Sequence, residues 1–214
     1  MNFPFTTEQF LDVFKSYNLT VWPVQILLVI LALVTIFLSA YKFKYSDAVI
    51  SLTLMFYWSW IGIVYHLIFF TKINNAAYVF AALFVVQGGL FFYYGIIKRT
   101  LSFKFINKIK SLTAIILFLY ALIFYPLLGY ALGNIYPQTP TFGLPCPTTI
   151  FTFGLLLLLD KKTNKVLLII PMLWAVIGFT AALKLGILQD IGLLVSAILT
   201  IAVIIFEGRI KQPA

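Results

Sequence analysis

Cys146 is the single cysteine of the chain and stands between two prolines in Phe142-Gly143-Leu144-Pro145-Cys146-Pro147-Thr148-Thr149. At a helix start, unpaired N–H groups and the positive end of the helix dipole favour a thiolate, whereas desolvation opposes it. The position therefore reads either as a reactive or ligand thiol or as a small packing residue. Thr148, Thr149 and Thr152 bring hydroxyls to the same turn, as caps, as solute contacts, or as both. His66 is the single histidine and falls near the end of an apolar run, where an imidazole can bind a ligand, carry a proton or reach interfacial water. Asp190, preceding Ile191, reads as a helix N-cap with Lys184 nearby, or as a wall of the same site.

These groups must be positioned by helices in a membrane. The chain has 214 residues, of which 63% are apolar and 10% charged, against about 25% charged in soluble domains. The net charge of +9 does not point to nucleic acid, because the basic residues sit in short loops between apolar runs. One cysteine and one histidine cannot build a disulfide or a four-ligand Cys/His metal centre, so neither metal nor cofactor is expected.

Residues Phe5 to Tyr17 predict an amphipathic helix lying on the membrane surface, with a Thr6/Gln9 capping box and a Phe5/Phe10 staple. Seven apolar segments follow: Trp22 to Tyr41, Ala48 to Phe70, Ala76 to Ile97, Leu112 to Leu132, Leu144 to Leu159, Val166 to Leu183 and Ile191 to Phe206. The first reads as a span and not as a cleavable leader, since no small-residue cleavage pattern follows it. The expected fold is all-α, a polytopic membrane protein with seven transmembrane helices in one domain over 1–214. Within it, 1–21 is the interfacial helix, 22–97 a first three-helix unit, 98–135 a basic loop and linker helix, and 136–214 a second three-helix unit. The fifth segment is short. A helix from Pro147 to Leu159 has 13 residues, roughly 20 Å of a hydrocarbon core about 30 Å thick. The proline-rich run must supply the missing depth as non-helical backbone, with Leu144 and Cys146 extended before their prolines. Such backbone survives in a membrane only when protein or a watery cavity surrounds it.

Of fifteen Lys and Arg residues, only Lys15, Lys72 and Lys184 fall in one set of loops. The others are Lys42, Lys44, Lys98, Arg99, Lys104, Lys108, Lys110, Lys161, Lys162, Lys165, Arg209 and Lys211. The positive-inside rule then places the N-terminus outside the plasma (inner) membrane and the C-terminus in the cytoplasm. A shift of 116 residues superposes Trp58 on Trp174, Ile61 on Ile177, Gly62 on Gly178, Leu67 on Leu183 and Asn74 on Asp190. As a duplication, this gives two parallel triple-helix bundles joined by the fourth span. That organisation is similar in topology to the SWEET sugar transporters, without diagnostic residues.

The run Pro140-Thr141-Phe142-Gly143-Leu144-Pro145-Cys146-Pro147-Thr148-Thr149-Ile150-Phe151-Thr152, with Val21-Trp22-Pro23, Tyr65-His66 and Gln189-Asp190, resembles a bacterial family of multi-pass membrane proteins known only as a domain of unknown function. The resemblance implies an architecture and no chemistry. The functional expectation is a transporter or channel for a small solute or ion, with an outward-facing pocket at the broken fifth helix and Cys146, Thr148, Thr149, His66 and Asp190 as binding groups. The rival classes are a thiol enzyme or redox protein using Cys146 with His66 as base, and a receptor or assembly subunit. A cysteine placed at Ser102 on a Cys146→Ser background should resist impermeant maleimide added to intact cells, while cysteines in the loop Gly133 to Thr141 should react. Labelling of the Ser102 position from outside overturns the topology.

Overall fold

The computed structural model describes residues 4–160 and 164–210, with side chains to Glu207. Lys161, Lys162 and Lys211 of the basic loops, and the Arg209 side chain, lie outside the described residues. The helices are α1 (Thr7–Val21), α2 (Val24–Ala40), α3 (Ser46–Lys72), α4 (Ala77–Ile97), α5 (Lys108–Ala131), α6 (Pro145–Leu157), α7 (Val166–Leu185) and α8 (Ile191–Ile210). All seven apolar segments are helical, so the class is all-α. Five helices are long and apolar enough to cross a membrane, or six if the bent pair α1 and α2 is one span. The seventh is α6, at 13 residues too short to cross alone.

The exterior of the bundle is apolar and its interior is comparatively polar. Ile26, Leu27, Ile30, Leu33 and Phe37 form an exposed stripe on α2, while Gln25, Thr35 and Ser39 on the same helix are buried. An apolar stripe of this kind marks a lipid-facing surface. Thr35 and Ser39 each donate back to a carbonyl of their own helix, so no polar group is left for lipid.

α1 forms as its capping box dictates. Gln9 N–H donates to the Thr6 hydroxyl at 3.2 Å, Thr6 N–H donates to Gln9 Oε1 at 2.9 Å, and Phe5 stacks on Phe10 at 5.7 Å. The helix runs to Val21, past the expected end, and bends by 84° into α2. It crosses one end of the bundle with Val13, Phe14, Tyr17 and Asn18 facing inward.

α6 is the centre of the bundle. α5, α7, α8 and the rings of α3 enclose it: every residue of it except Cys146 is buried, without interruption from Pro147 to Leu157. Phe151 meets Phe118 at 4.9 Å and Phe142 at 5.5 Å, and the Phe118 ring lies over Gly154 so closely that a Cβ there would sit 2.5 Å from it. Trp58 of α3 donates its indole N–H to the Thr152 hydroxyl at 3.1 Å, a cross-helix bond worth roughly 0.6 kcal/mol in a membrane interior. Gly62 receives α4 through Ala81 and Phe84, and Gly178 receives α8 through Leu193, so each glycine is a notch for the next helix.

Three long helices contain π-helical turns. In α5 the turn Tyr120–Phe124 comes just before Pro126, whose ring removes a helical donor. Widening the preceding turn accommodates the missing bond. In α3 the π segment Ile61–Phe69 carries Tyr65 and His66 on its buried side.

The chain reaches α6 through Gly143, which has φ +98° and a hypothetical Cβ 2.2 Å from Leu28 Cδ1. Gly133 also has positive φ, +88°, but open space around it. An alanine at either site carries the left-handed backbone cost of about 1–2 kcal/mol, and only at 143 does a clash add to it. Gly143→Ala should therefore lower the unfolding midpoint in detergent more than Gly133→Ala does; equal shifts would show that Leu28 yields freely.

Candidate functional site

The proline-rich segment behaves as expected at Leu144 and otherwise at Cys146. Leu144 is extended, with φ −91° and ψ 162°. Cys146 is helical, because α6 begins at Pro145 and not at Pro147. Both prolines fall in the first turn, where no amide is needed, and burial of the helix outweighs the bias of a residue before proline. Two of the first four amides are thereby deleted. A third, Thr148 N–H, donates to Leu144 O at 3.3 Å. The helix start thus offers a solute one amide, that of Cys146, and not the row of donors that the sequence suggested.

The threonines divide. Thr148 accepts from Gly143 N–H at 3.1 Å, which ties the loop to the helix, and Thr152 donates to Thr148 O at 2.8 Å while accepting from Trp58. Both are structural. The Thr149 hydroxyl is fully buried without a hydrogen-bond partner.

A cavity of about 90 Å³ opens beside Cys146, between α1, α3, α4 and α7. Of the five expected site residues, Cys146 and Asp190 line it; His66, Thr148 and Thr149 do not. Part of the Cys146 surface opens to the cavity, and its thiol interacts with the Asp190 carboxyl and the Trp174 indole. Asp190 accepts a hydrogen bond from the Tyr125 hydroxyl, a contact outside the capping role that the sequence suggested. The turn that carries it is pinned by α5: Tyr120 donates to Gln189 O at 2.8 Å and Asn134 donates to Gln189 Oε1 at 3.1 Å. Tyr65 lies within electrostatic range of both Cys146 and Asp190.

His66 sits one layer behind the cavity wall. Its ring is fully buried, neither nitrogen has a hydrogen-bond partner, and its neighbours are aromatic: Phe84 at 4.8 Å, Tyr65 at 5.1 Å and Trp174 at 5.3 Å. Trp174 stands between the two. Among other polar residues, Asn74 caps Ala76 N–H, Gln87 bonds Leu167 O across to α7, and Gln25 bonds Asn18. Trp22 and Tyr136 are exposed at the α1 end, while Trp58 is core.

The cavity is roofed by α1, through Phe5, Phe10 and Phe14. Asn18 holds that roof in place. Its side-chain amide donates to Pro137 O at 2.7 Å and Thr139 O at 2.8 Å, and its carbonyl accepts from Thr141 at 2.8 Å and Gln25 at 3.0 Å. Sequence reasoning passed over Asn18 and Tyr125, and met Trp174 only as the repeat partner of Trp58. For Asn18 a signal existed: it follows Phe10 and Phe14 at four-residue steps, a polar residue on the apolar face of α1.

The fold and this cavity define a class: a polytopic helical membrane protein with a small aromatic pocket at one end of the bundle. The chain belongs to DUF6064, a family of unknown function, whose model matches residues 7–213. No curated protein and no solved structure matches it.

Two isosteric substitutions separate the threonines. Thr148→Val strands the buried Gly143 amide and should cost about 1–3 kcal/mol, while Thr149→Val removes an unpaired hydroxyl and should be neutral or stabilising. Chemical denaturation in detergent reads both; a larger loss at Thr149 would reveal a hydroxyl contact absent from this arrangement.

Proposed function

We propose that this protein is a transporter or channel for a small solute or ion in the plasma (inner) membrane. The observation that carries the reading is the cavity at the head of the short central helix α6, where irregular backbone, a thiol and a carboxyl meet inside a bundle. Non-helical backbone at this depth is tolerated where it lines a cavity, and broken helices of this kind supply solute sites in transporters. Asp190 and Cys146 are its binding groups, with α1 as the roof over the pocket. The charge bias of the loops supports an orientation with α1, the N-terminus and the pocket outside and the C-terminus in the cytoplasm. Gly62 and Gly178, each receiving the following helix, support two related three-helix units, 22–97 and 136–214, linked through 98–135.

The thiol-enzyme reading draws less support from this geometry. The polar neighbours of Cys146 are Asp190 and Trp174, while His66 lies within aromatic rings behind Trp174, so the thiol and imidazole do not form a nucleophile–base pair. A receptor or assembly subunit would share the pocket without moving its occupant.

Flux through proteoliposomes tests the reading, using separate panels of inorganic ions, amines, carboxylates, amino acids and sugars. At least one solute should cross, with flux reduced tenfold or more by Asp190→Asn and measurably but less by Cys146→Ser, whose hydroxyl keeps a polar contact. Absence of flux across the panel, with a chemical turnover abolished by Cys146→Ser, would replace transport by the enzyme reading.

A further inference from the structure

The walls of the cavity are chemically one-sided. Seven aromatic side chains line the cavity, among them Phe10, Phe14, Tyr65, Phe70 and Trp174; its acidic group is Asp190, and among the described residues no lysine, arginine or histidine lines it. Asp190 is buried, and the groups around its carboxyl are a phenol and a thiol, Tyr125 and Cys146, neither of which brings positive charge. A buried carboxylate is costly unless a cation accompanies it. Aromatic faces carry negative quadrupoles and attract a cation lying within about 6 Å of the ring centre, most strongly when water is excluded. The rings are mutually braced, Phe10 on Phe70 at 5.7 Å and Phe14 on Tyr65 at 6.2 Å, so the box exists before any ligand arrives. A hydrated metal ion gains little here, because the wall offers few oxygens to replace its water shell. An alkylammonium has a methyl surface for the rings and one charge for the acid.

From this we infer that the cavity binds a small organic monocation of the ammonium class, with its charge beside Asp190 and its alkyl groups against the aromatic wall. The inference rests on the proposed solute pocket and names the class of its occupant. An acid or phosphate ester is excluded by the same wall, since the carboxyl repels it and no basic group among the described residues lines the space to receive it. A neutral molecule of equal shape gains the apolar contact alone.

Cys146 supplies a site-specific readout, because it is the single cysteine and lines the cavity. Purified protein is treated with the small neutral reagent methyl methanethiosulfonate in the presence of tetramethylammonium or of tert-butanol, which has the same number of heavy atoms and no charge. Tetramethylammonium should slow Cys146 modification at least tenfold at saturation, and tert-butanol at the same concentration less than twofold. Asp190→Asn should abolish the protection, and Asp190→Glu should restore part of it. The unfolding midpoint of Asp190→Asn in detergent reports its fold, since removing the carboxyl beside the thiol changes the labelling rate by itself. If Asp190→Asn fails to fold, Trp174→Leu serves instead, with protection expected to weaken several-fold while the carboxyl remains. Equal protection by tert-butanol, protection that survives Asp190→Asn, or no protection by tetramethylammonium each overturns the inference. Flux of another solute without protection by tetramethylammonium leaves transport standing and removes the cation; protection without flux does the reverse.

Discussion

Non-helical backbone inside a membrane bundle must have its polar groups paired by protein, and here Asn18 supplies much of that pairing. Its amide takes two carbonyls, of Pro137 and Thr139, and its carbonyl takes the Thr141 hydroxyl and the Gln25 amide. Both donors and both lone pairs of the side chain are used. The adjacent prolines explain why carbonyls are the groups in need: Pro137 and Pro140 bring acceptors and no N–H. Tyr17, one residue earlier, continues the work by donating to Gly143 O at 3.4 Å while accepting from the Trp60 indole at 2.9 Å. One turn of α1 therefore satisfies the approach to α6, and placing that turn places the aromatic roof above the cavity.

The same pairing couples the two parts of the chain. α1 and α3 belong to the N-terminal part, whereas the 137–143 segment and α6 belong to the C-terminal part. Asn18 and Tyr17 join them at one end of the bundle and Trp58 with Thr152 joins them in the middle. At the other end, Asp47 accepts from Phe103 N–H at 2.8 Å and from Ser102 at 3.2 Å while paired with Lys42, and Lys104 N–H donates to Leu158 O at 2.8 Å. The basic connection between α4 and α5 is thus tied to both α3 and the end of α6. A central helix of only 13 residues can be held in a bundle of longer ones because each of its ends is gripped by a polar cluster from the other part.

The cavity sits where these constraints meet. The Cys146 amide is the one first-turn donor left over, the thiol beside it opens into the space, and the Asp190 turn is held from behind by Tyr120, Tyr125 and Asn134. α1 covers the opening with Phe5, Phe10 and Phe14, which pack ring against ring.

The sequence by itself determined the class, the seven helical segments, the capping box of α1 and the short fifth segment, because hydropathy, Thr6-x-x-Gln9 and proline chemistry are local. It also singled out Cys146 and Asp190, a thiol and an acid in otherwise apolar surroundings. Only the tertiary structure decided what these residues face. Thr148 and Thr149 are adjacent and chemically identical, yet one accepts the Gly143 amide and the other has no partner, because helical rotation turns them to different neighbours. His66 belongs behind Trp174 and not on the cavity wall, a consequence of how α3 packs against α4 and α7 that no spacing along the chain reveals. The pairing of Tyr125 with Asp190 spans 65 residues, and that of Asn18 with Thr139 spans 121. Contacts at such separations are fixed by the packing of whole helices, and a single sequence carries that information only in the sum of all its faces.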